Sequence, residues 1–128
     1  MMRTIDPPDF SLPGISQGML VPAGNLLFLS GHVALGPSGI VGDTIEAQLE
    51  QIFKNLTVTL TEAGTDFNNV ARLTIYVKDY DPDMLPSIRE VRNKHINVES
   101  PPASTLIGVA NLAFPELLIE VEAVARVP

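Results

Sequence analysis

Apolar positions along the chain change period several times, and each change marks an element. Asn25-Leu26-Leu27-Phe28-Leu29-Ser30 is apolar at consecutive positions. A strand covered on both faces has that pattern, so this one is expected inside a sheet. Met19–Pro22 predicts a short strand before it, joined through Ala23-Gly24. After Gly42 the spacing switches: Ile45, Leu49, Ile52, Phe53, Leu56, Leu60 and Ala63 fall on one face of a helix. Asp43 followed by Glu46 predicts a capping box at its start, and Gly64 predicts its C′ residue.

Strict alternation then returns, with Leu73, Ile75 and Val77 on one side and Arg72, Thr74, Tyr76 and Lys78 on the other. A second helix is predicted from Asp83, its N-cap, with Pro86 in the tolerated first turn. Met84, Ile88, Val91 and His95 share one of its faces, and Arg89, Arg92 and Lys94 lie elsewhere. Pro101-Pro102 stops any continuation. Thr105–Leu112 and Leu117–Val127 predict the last two strands, and residues 1–13, with Pro7, Pro8 and Pro13, an extended N-terminal arm.

The order ββαβαββ predicts an α+β fold, one mixed sheet with both helices on one face. Residues 1–128 read as a single domain. No third layer is left for the other face of the sheet, although two strands are apolar on both sides. That face is expected to be buried by self-association, in a closed ring or a dimer.

Composition narrows the chemistry. There are 15 acidic and 8 basic side chains, a formal charge of −7, and no Cys. Disulfides, a thiolate nucleophile and Cys-ligated metals are excluded. The acidic balance argues against nucleic-acid binding through phosphate contacts. The apolar runs are too short for a bilayer, and residues 1–8 do not read as a secretory signal. A cytoplasmic protein without a membrane partner is expected. With two His and no third ligand at a metal-binding spacing, no metal is expected either.

Polar residues inside apolar strands are the candidates for chemistry. Glu120 and Glu122 share a strand face. They read either as an acid/base pair or as carboxylates facing solvent or paired with a cation; the apolar strand around them favours a function for at least one. Ser30-Gly31-His32, at the end of a buried strand, offers a hydroxyl, a close-approach backbone and an imidazole. A histidine there is more often hydrogen-bonded structure than catalyst. Pro101-Pro102-Ala103-Ser104-Thr105 is a stiff lead-in to a strand and suits a pocket wall, or simply a helix stop.

Taken in order, several segments resemble one family. They are Ser30-Gly31-His32-Val33, Gly42-Asp43, Gln48, Asn55-Leu56, Ala63-Gly64, Val77-Lys78-Asp79, Pro102-Ala103-Ser104-Thr105, Val109-Ala110-Asn111-Leu112 and Ile119–Ala125. The chain is similar over roughly residues 14–127 to the RidA family (reactive intermediate deaminases, also called YjgF-type or L-PSP-type proteins). The resemblance implies a chorismate-mutase-like fold in a homotrimeric barrel, with pockets at the subunit clefts. It implies hydrolysis of enamines and imines, such as 2-aminoacrylate, to keto acids and ammonia without a cofactor. The implied ligand is a small anionic or keto/imino metabolite.

The residues carry over in part. Glu120 falls where the family has its water-handling Glu, and Ser30, Gly31, Thr105 and the backbone near Val109 fall on pocket positions. His32 stands where Gln is usual, Ile15 where a Tyr is usual, and Gln17-Gly18 is kept. Ser104 takes the place of the arginine that grips the substrate carboxylate, so the chain resembles an arginine-lacking subgroup. A guanidinium makes two charge-assisted hydrogen bonds where Ser offers one neutral donor. One such contact is worth about 1.5–3 kcal/mol. Arg89, near the position of a usual pocket Asn, is a candidate substitute anchor or a solvated helix arginine. The alternative to a hydrolase is a metabolite-binding or sensing protein using the same pocket. The endoribonuclease label attached to some relatives is disfavoured by the charge and by the lack of a catalytic His pair.

Overall fold

The computed structural model describes residues 1–9 and 11–128. Its strands and helices are β1 (Arg3–Ile5), β2 (Gly18–Leu20), β3 (Asn25–His32), β4 (Leu35–Gly36), β5 (Gly39–Ile40), α1 (Ile45–Glu62), β6 (Val70–Lys78), α2 (Leu85–Asn93), β7 (Ala103–Val109) and β8 (Ile119–Val127). The fold is α+β. A four-stranded mixed sheet runs β3-β8-β6-β7, antiparallel except for the β6–β7 pair. The parallel pair is joined through α2, as a crossover requires.

Period-two alternation sorts the sheet into a dry face and an open one. Ile119, Val121, Ala123 and Ala125 of β8, with Leu73, Ile75 and Val77 of β6, are buried against Leu49, Ile52, Phe53, Leu56 and Leu60 of α1 and Ile88 and Val91 of α2. Both helices therefore cover one face. The other face carries Arg72, Thr74 and Tyr76, Glu120, Glu122 and Val124, and the side chains of Leu26 and Phe28. Phe28 is 73% exposed, as no single-chain core would leave it.

Several sequence expectations need correction. The strand apolar on both faces is an edge strand: among the described residues β3 pairs only with β8. β2 does not pair with β3 but with β1, so part of the expected N-terminal arm is a strand. The N-cap of α1 is Thr44, whose hydroxyl accepts from the Ala47 N–H at 3.1 Å; Asp43 lies one residue too early. Glu46 keeps only its favourable place in the first turn. At the second helix a 3-10 turn, Pro82–Met84, precedes α2, and its cap is Asp81, which accepts from the Asp83 N–H at 2.9 Å. Asp83 lies inside that turn. The C-terminal end of α1 matches expectation: Gly64 has φ +81°, and Thr65 N–H and Gly64 N–H bond the Leu60 and Thr61 carbonyls.

One buried polar residue ties the layers together. Gln48 of α1 is 0% exposed. Its amide nitrogen donates to the Gly42 and Glu116 carbonyls at 3.1 and 2.8 Å, and its Oε1 accepts from the Leu118 N–H at 2.9 Å. The side chain thereby sets where β8 begins, and with it the position of Glu120.

Candidate functional site

The candidate residues gather in two places. The first is a cavity of about 300 Å³ on the helix side of the sheet, between α2, the start of β7 and the N-terminal loop; Ile15, Arg89 and Ser104 line it. Ser104 is aligned with Leu73 of β6, so it points to the helix face. Ile15 is brought beside it by Ser16. That hydroxyl donates to the Pro101 carbonyl at 2.5 Å and its N–H to the Pro102 carbonyl at 3.1 Å, bridging the loop to Ala103.

The second is the C-terminal end of β3. Leu29 pairs with Ala123 and His32 with Val121, so Ser30 and Gly31 together oppose one residue of β8. Bulges of this kind bend a strand and re-aim its side chains. Here the bulge brings the Gly31 backbone against the Glu120 carboxylate so closely that a Cβ on Gly31 would collide with it. Ser30 and Gly31 also border an open cavity of about 420 Å³ with Val58 and Thr59 of α1.

His32 is committed to structure. Its Nδ1 lies 2.6 Å from the Ser30 carbonyl and its Nε2 2.7 Å from Thr59 Oγ1. Facing a carbonyl, Nδ1 carries the hydrogen, and the Nε2 contact ties the ring to the Thr59 hydroxyl, which also donates to the Asn55 carbonyl at 3.3 Å. His95 packs: its ring stacks on Phe53 at 4.7 Å and its Nε2 meets Glu50 at 2.8 Å. That bond holds Glu50 below the ordinary carboxylate value, against burial.

Glu120 and Glu122 do share the open face, aligned with Tyr76 and Thr74 of β6. Glu122 accepts from the Tyr76 hydroxyl at 2.5 Å. This bond, then burial and the two carboxylate charges, raises the Tyr76 phenol above its ordinary value, with Arg72 opposing. Glu122 is thus engaged, while no hydrogen bond from the described residues engages Glu120. Thr105 and Val109 belong to neither group. They lie on the open face of edge strand β7, aligned with Thr74 and Lys78.

The two groups are far apart in one chain. Ser104 and Gly31 sit on strands separated by three positions in the sheet, about 14 Å at the usual strand spacing. Ser104 faces the helices, whereas Glu120 faces away from them. A single copy cannot bring them to one ligand.

The sequence reading missed Arg92. It borders the same cavity as Arg89 and Ser104 and is only 5% exposed. Its Nε and Nη2 donate to Asn93 Oδ1 at 3.3 and 3.2 Å. Burial, then the charge of Arg89, lowers its pKa below that of a free guanidinium. The signal was present: Arg92 follows Ile88 by four residues and so shares its buried face. Among the described residues, no group of three or more His, Cys, Asp or Glu is placed to hold a metal ion. Nor, among the described residues, is any helix long and apolar enough to cross a membrane.

Comparison with known proteins matches this arrangement to one group. Residues 14–127 match the family model described as Endoribonuclease L-PSP. A Lactococcus lactis protein named "Putative regulator AldR" is 36% identical over 129 residues, covering 99% of this chain and 97% of its own length. The chloroplastic Reactive Intermediate Deaminase A of Arabidopsis thaliana is 34% identical over 107 residues, 82% of this chain and 55% of that protein. Among solved structures, the Rid protein YyfB of Yersinia pestis, described as of unknown function, superimposes with a TM-score of 0.87 at 34% identity, over 98% of each chain.

Proposed function

The chain belongs to the L-PSP family that includes the Rid proteins, and from that membership we propose that it works as a homotrimer with one small-molecule pocket at each subunit junction. One wall is the cavity of Ile15, Arg89 and Ser104; the other is the Ser30-Gly31 bulge with Glu120 from the next copy. The observation that carries this reading is the division of the candidate residues into two half-sites that no single chain unites. The exposed Leu26 and Phe28 on the uncovered sheet face supply apolar surface for the association.

The reaction proposed is hydrolysis of a small imine or enamine tautomer to a carbonyl compound and ammonia. Water adds across the C=N bond, and Glu120 takes the proton from the water oxygen. Glu120 returns that proton to nitrogen to give the carbinolamine, then takes the hydroxyl proton and passes it to nitrogen as the C–N bond breaks, so the carbonyl forms and ammonia leaves. Gly31, by having no side chain, lets the carboxylate and the substrate share the space at the bulge. Ser104 orients the substrate with a neutral hydrogen bond, and Arg89 supplies the positive charge that Ser104 lacks.

Because Ser104 is neutral where such pockets usually hold an arginine, binding without turnover is the second reading, with a keto acid as ligand. The test is freshly generated 2-aminoacrylate supplied to wild type, Glu120→Ala and Ser104→Arg. Turnover by wild type or by Ser104→Arg, abolished by Glu120→Ala, supports the hydrolase. Saturable keto-acid binding with no turnover in any variant overturns it in favour of the binder. For the assembly, Glu120→Gln and Ser104→Trp chains, each inactive alone, should regain part of the activity when unfolded and refolded together. A mixture that stays inactive, or a monomer mass in sedimentation, overturns the shared site.

A further inference from the structure

A buried arginine ordinarily has a carboxylate beside it, because an unpaired charge in a protein interior is costly. Arg92 has none. The ion pairs among the described residues are Lys94–Glu50 and His95–Glu50, so no described carboxylate lies within 4.0 Å of either Arg92 or Arg89. A guanidinium has five N–H donors; at Arg92 the Nε and Nη2 donors are shared with one neutral oxygen, Asn93 Oδ1. Arg89 lies one turn earlier on α2 and borders the same cavity. The result is two neighbouring positive charges at a cavity of about 300 Å³, in a chain whose formal charge is −7.

We propose that this cavity is a dianion site, in which Arg92 is the buried anchor and Arg89 the solvent-side clasp, and that the ligand is a small molecule with two negatively charged oxygen groups. The proposal rests on the pocket assigned under the proposed function and names the ligand class for its helix-side wall. Charge decides between one anionic group and two. A monoanion leaves a net positive charge in the cavity, whereas a dianion neutralises both guanidiniums and removes their mutual repulsion. Geometry agrees. Arg92 is held by packing beneath Gly14, where a side chain at that position would collide with Nη2, so the guanidinium is fixed before the ligand arrives. Arg89 is exposed and free to close. Ser104 offers a hydroxyl from the opposite wall, and Ile15, Ile75 and Leu106 surround a short apolar linker between the charges. The arginine that the family places at Ser104 would come from the strand; here both guanidiniums come from the helix, so a ligand is held from the other side and with one charge more.

The test is titration calorimetry of the intact oligomer with glutarate, butyrate and inorganic phosphate at constant ionic strength. Glutarate should bind at least tenfold more tightly than butyrate. Arg89→Gln should abolish that preference. Arg92→Gln should weaken both carboxylates by roughly 10- to 100-fold, the size of one charge-assisted contact. Phosphate binding with the same arginine dependence but no glutarate binding would retain the dianion site and identify its ligand as a phosphate. Arg92→Lys separates loss of a ligand contact from damage to the fold: it keeps the charge, loses the fork, and should retain the dianion preference at reduced affinity. Equal affinity for glutarate and butyrate in wild type, or affinities indifferent to Arg89→Gln, overturns the proposal. If 2-aminoacrylate is turned over but neither glutarate nor phosphate binds or inhibits, the dianion site fails and the hydrolase stands. If glutarate binds as described and nothing is turned over, the reverse holds.

Discussion

Replacing Gln48 tests whether one buried amide holds the start of β8. In Gln48→Leu the volume is nearly kept, so little cavity forms, and the loss is confined to three hydrogen bonds. At about 1 kcal/mol net for each, the cost is about 3 kcal/mol. The side chain is 0% exposed, so water cannot replace these bonds in place, and the cost should not fall much lower. In a domain of this size that is a fall of roughly 10–15 °C in Tm. Gln48→Glu separates the donors from the acceptor. The carboxylate still accepts from Leu118 N–H but faces the Gly42 and Glu116 carbonyls without a proton to give. Its folded pKa must rise, because only the neutral acid can donate. A raised folded pKa stabilises below the unfolded value and loses that contribution as pH climbs through the folded one. Gln48→Glu should therefore lie nearest to wild type around pH 4 and fall behind steadily toward pH 8. Urea unfolding followed by circular dichroism, at one protein concentration, measures both variants. A Gln48→Leu midpoint equivalent to less than about 1 kcal/mol of loss, or a Gln48→Glu deficit that does not grow with pH, would refute the clamp.

Two further outcomes follow from the open face. Gly31→Ala places its Cβ 2.8 Å from the Glu120 carboxyl carbon and 3.1 Å from Cγ, so the flexible end of Glu120 must move while the backbone stays. Stability should change by less than about 1 kcal/mol, since Ala suits a strand better than Gly and the displaced rotamer costs a similar amount. Turnover should fall about 100-fold, as for a misplacement near 1 Å, and a Gly31→Ala protein of unchanged rate would detach Glu120 from the chemistry. Tyr76, titrated by ultraviolet absorbance in a Tyr80→Phe background, should ionise above its ordinary value because Glu122 favours the protonated phenol. Its contribution to stability is complete below the unfolded pKa and is lost as pH rises through the folded one. Glu122→Gln should bring the titration down, and a titration that does not move would mean the hydrogen bond is not the cause.

What the sequence revealed and what it hid divide along physical lines. Spacing along the chain reports which face of an element is apolar, so α1, β6 and β8 and the common face of Glu120 and Glu122 could be read from their periods. Spacing does not report what covers that face. Asn25–Ser30 is apolar on both sides and is expected in the middle of a sheet, yet β3 is an edge strand with Phe28 exposed. The chain itself leaves that apolar face uncovered. Caps failed by one or two residues because Asp43 and Thr44, or Asp81 and Asp83, are equivalent until the backbone angles are known.

Arg92 failed for a different reason, and it bears most on the site. Arginine is so rarely buried that charge outweighed position: its place four residues after Ile88 marked the dry face, and the guanidinium argued for solvent. The structure resolves the conflict for position. A chain does not keep a charge in its interior, without a carboxylate, for the sake of folding alone; an apolar residue of the same volume would stabilise at least as well. On the proposal of a dianion site, that cost is preorganisation for a ligand, and it falls in the cavity that Ser104 also lines. Stability and function then make opposite demands on residue 92. Arg92→Met should raise the unfolding midpoint of the ligand-free protein while lowering its affinity for glutarate, and a variant that loses stability and affinity together would place Arg92 in the scaffold instead.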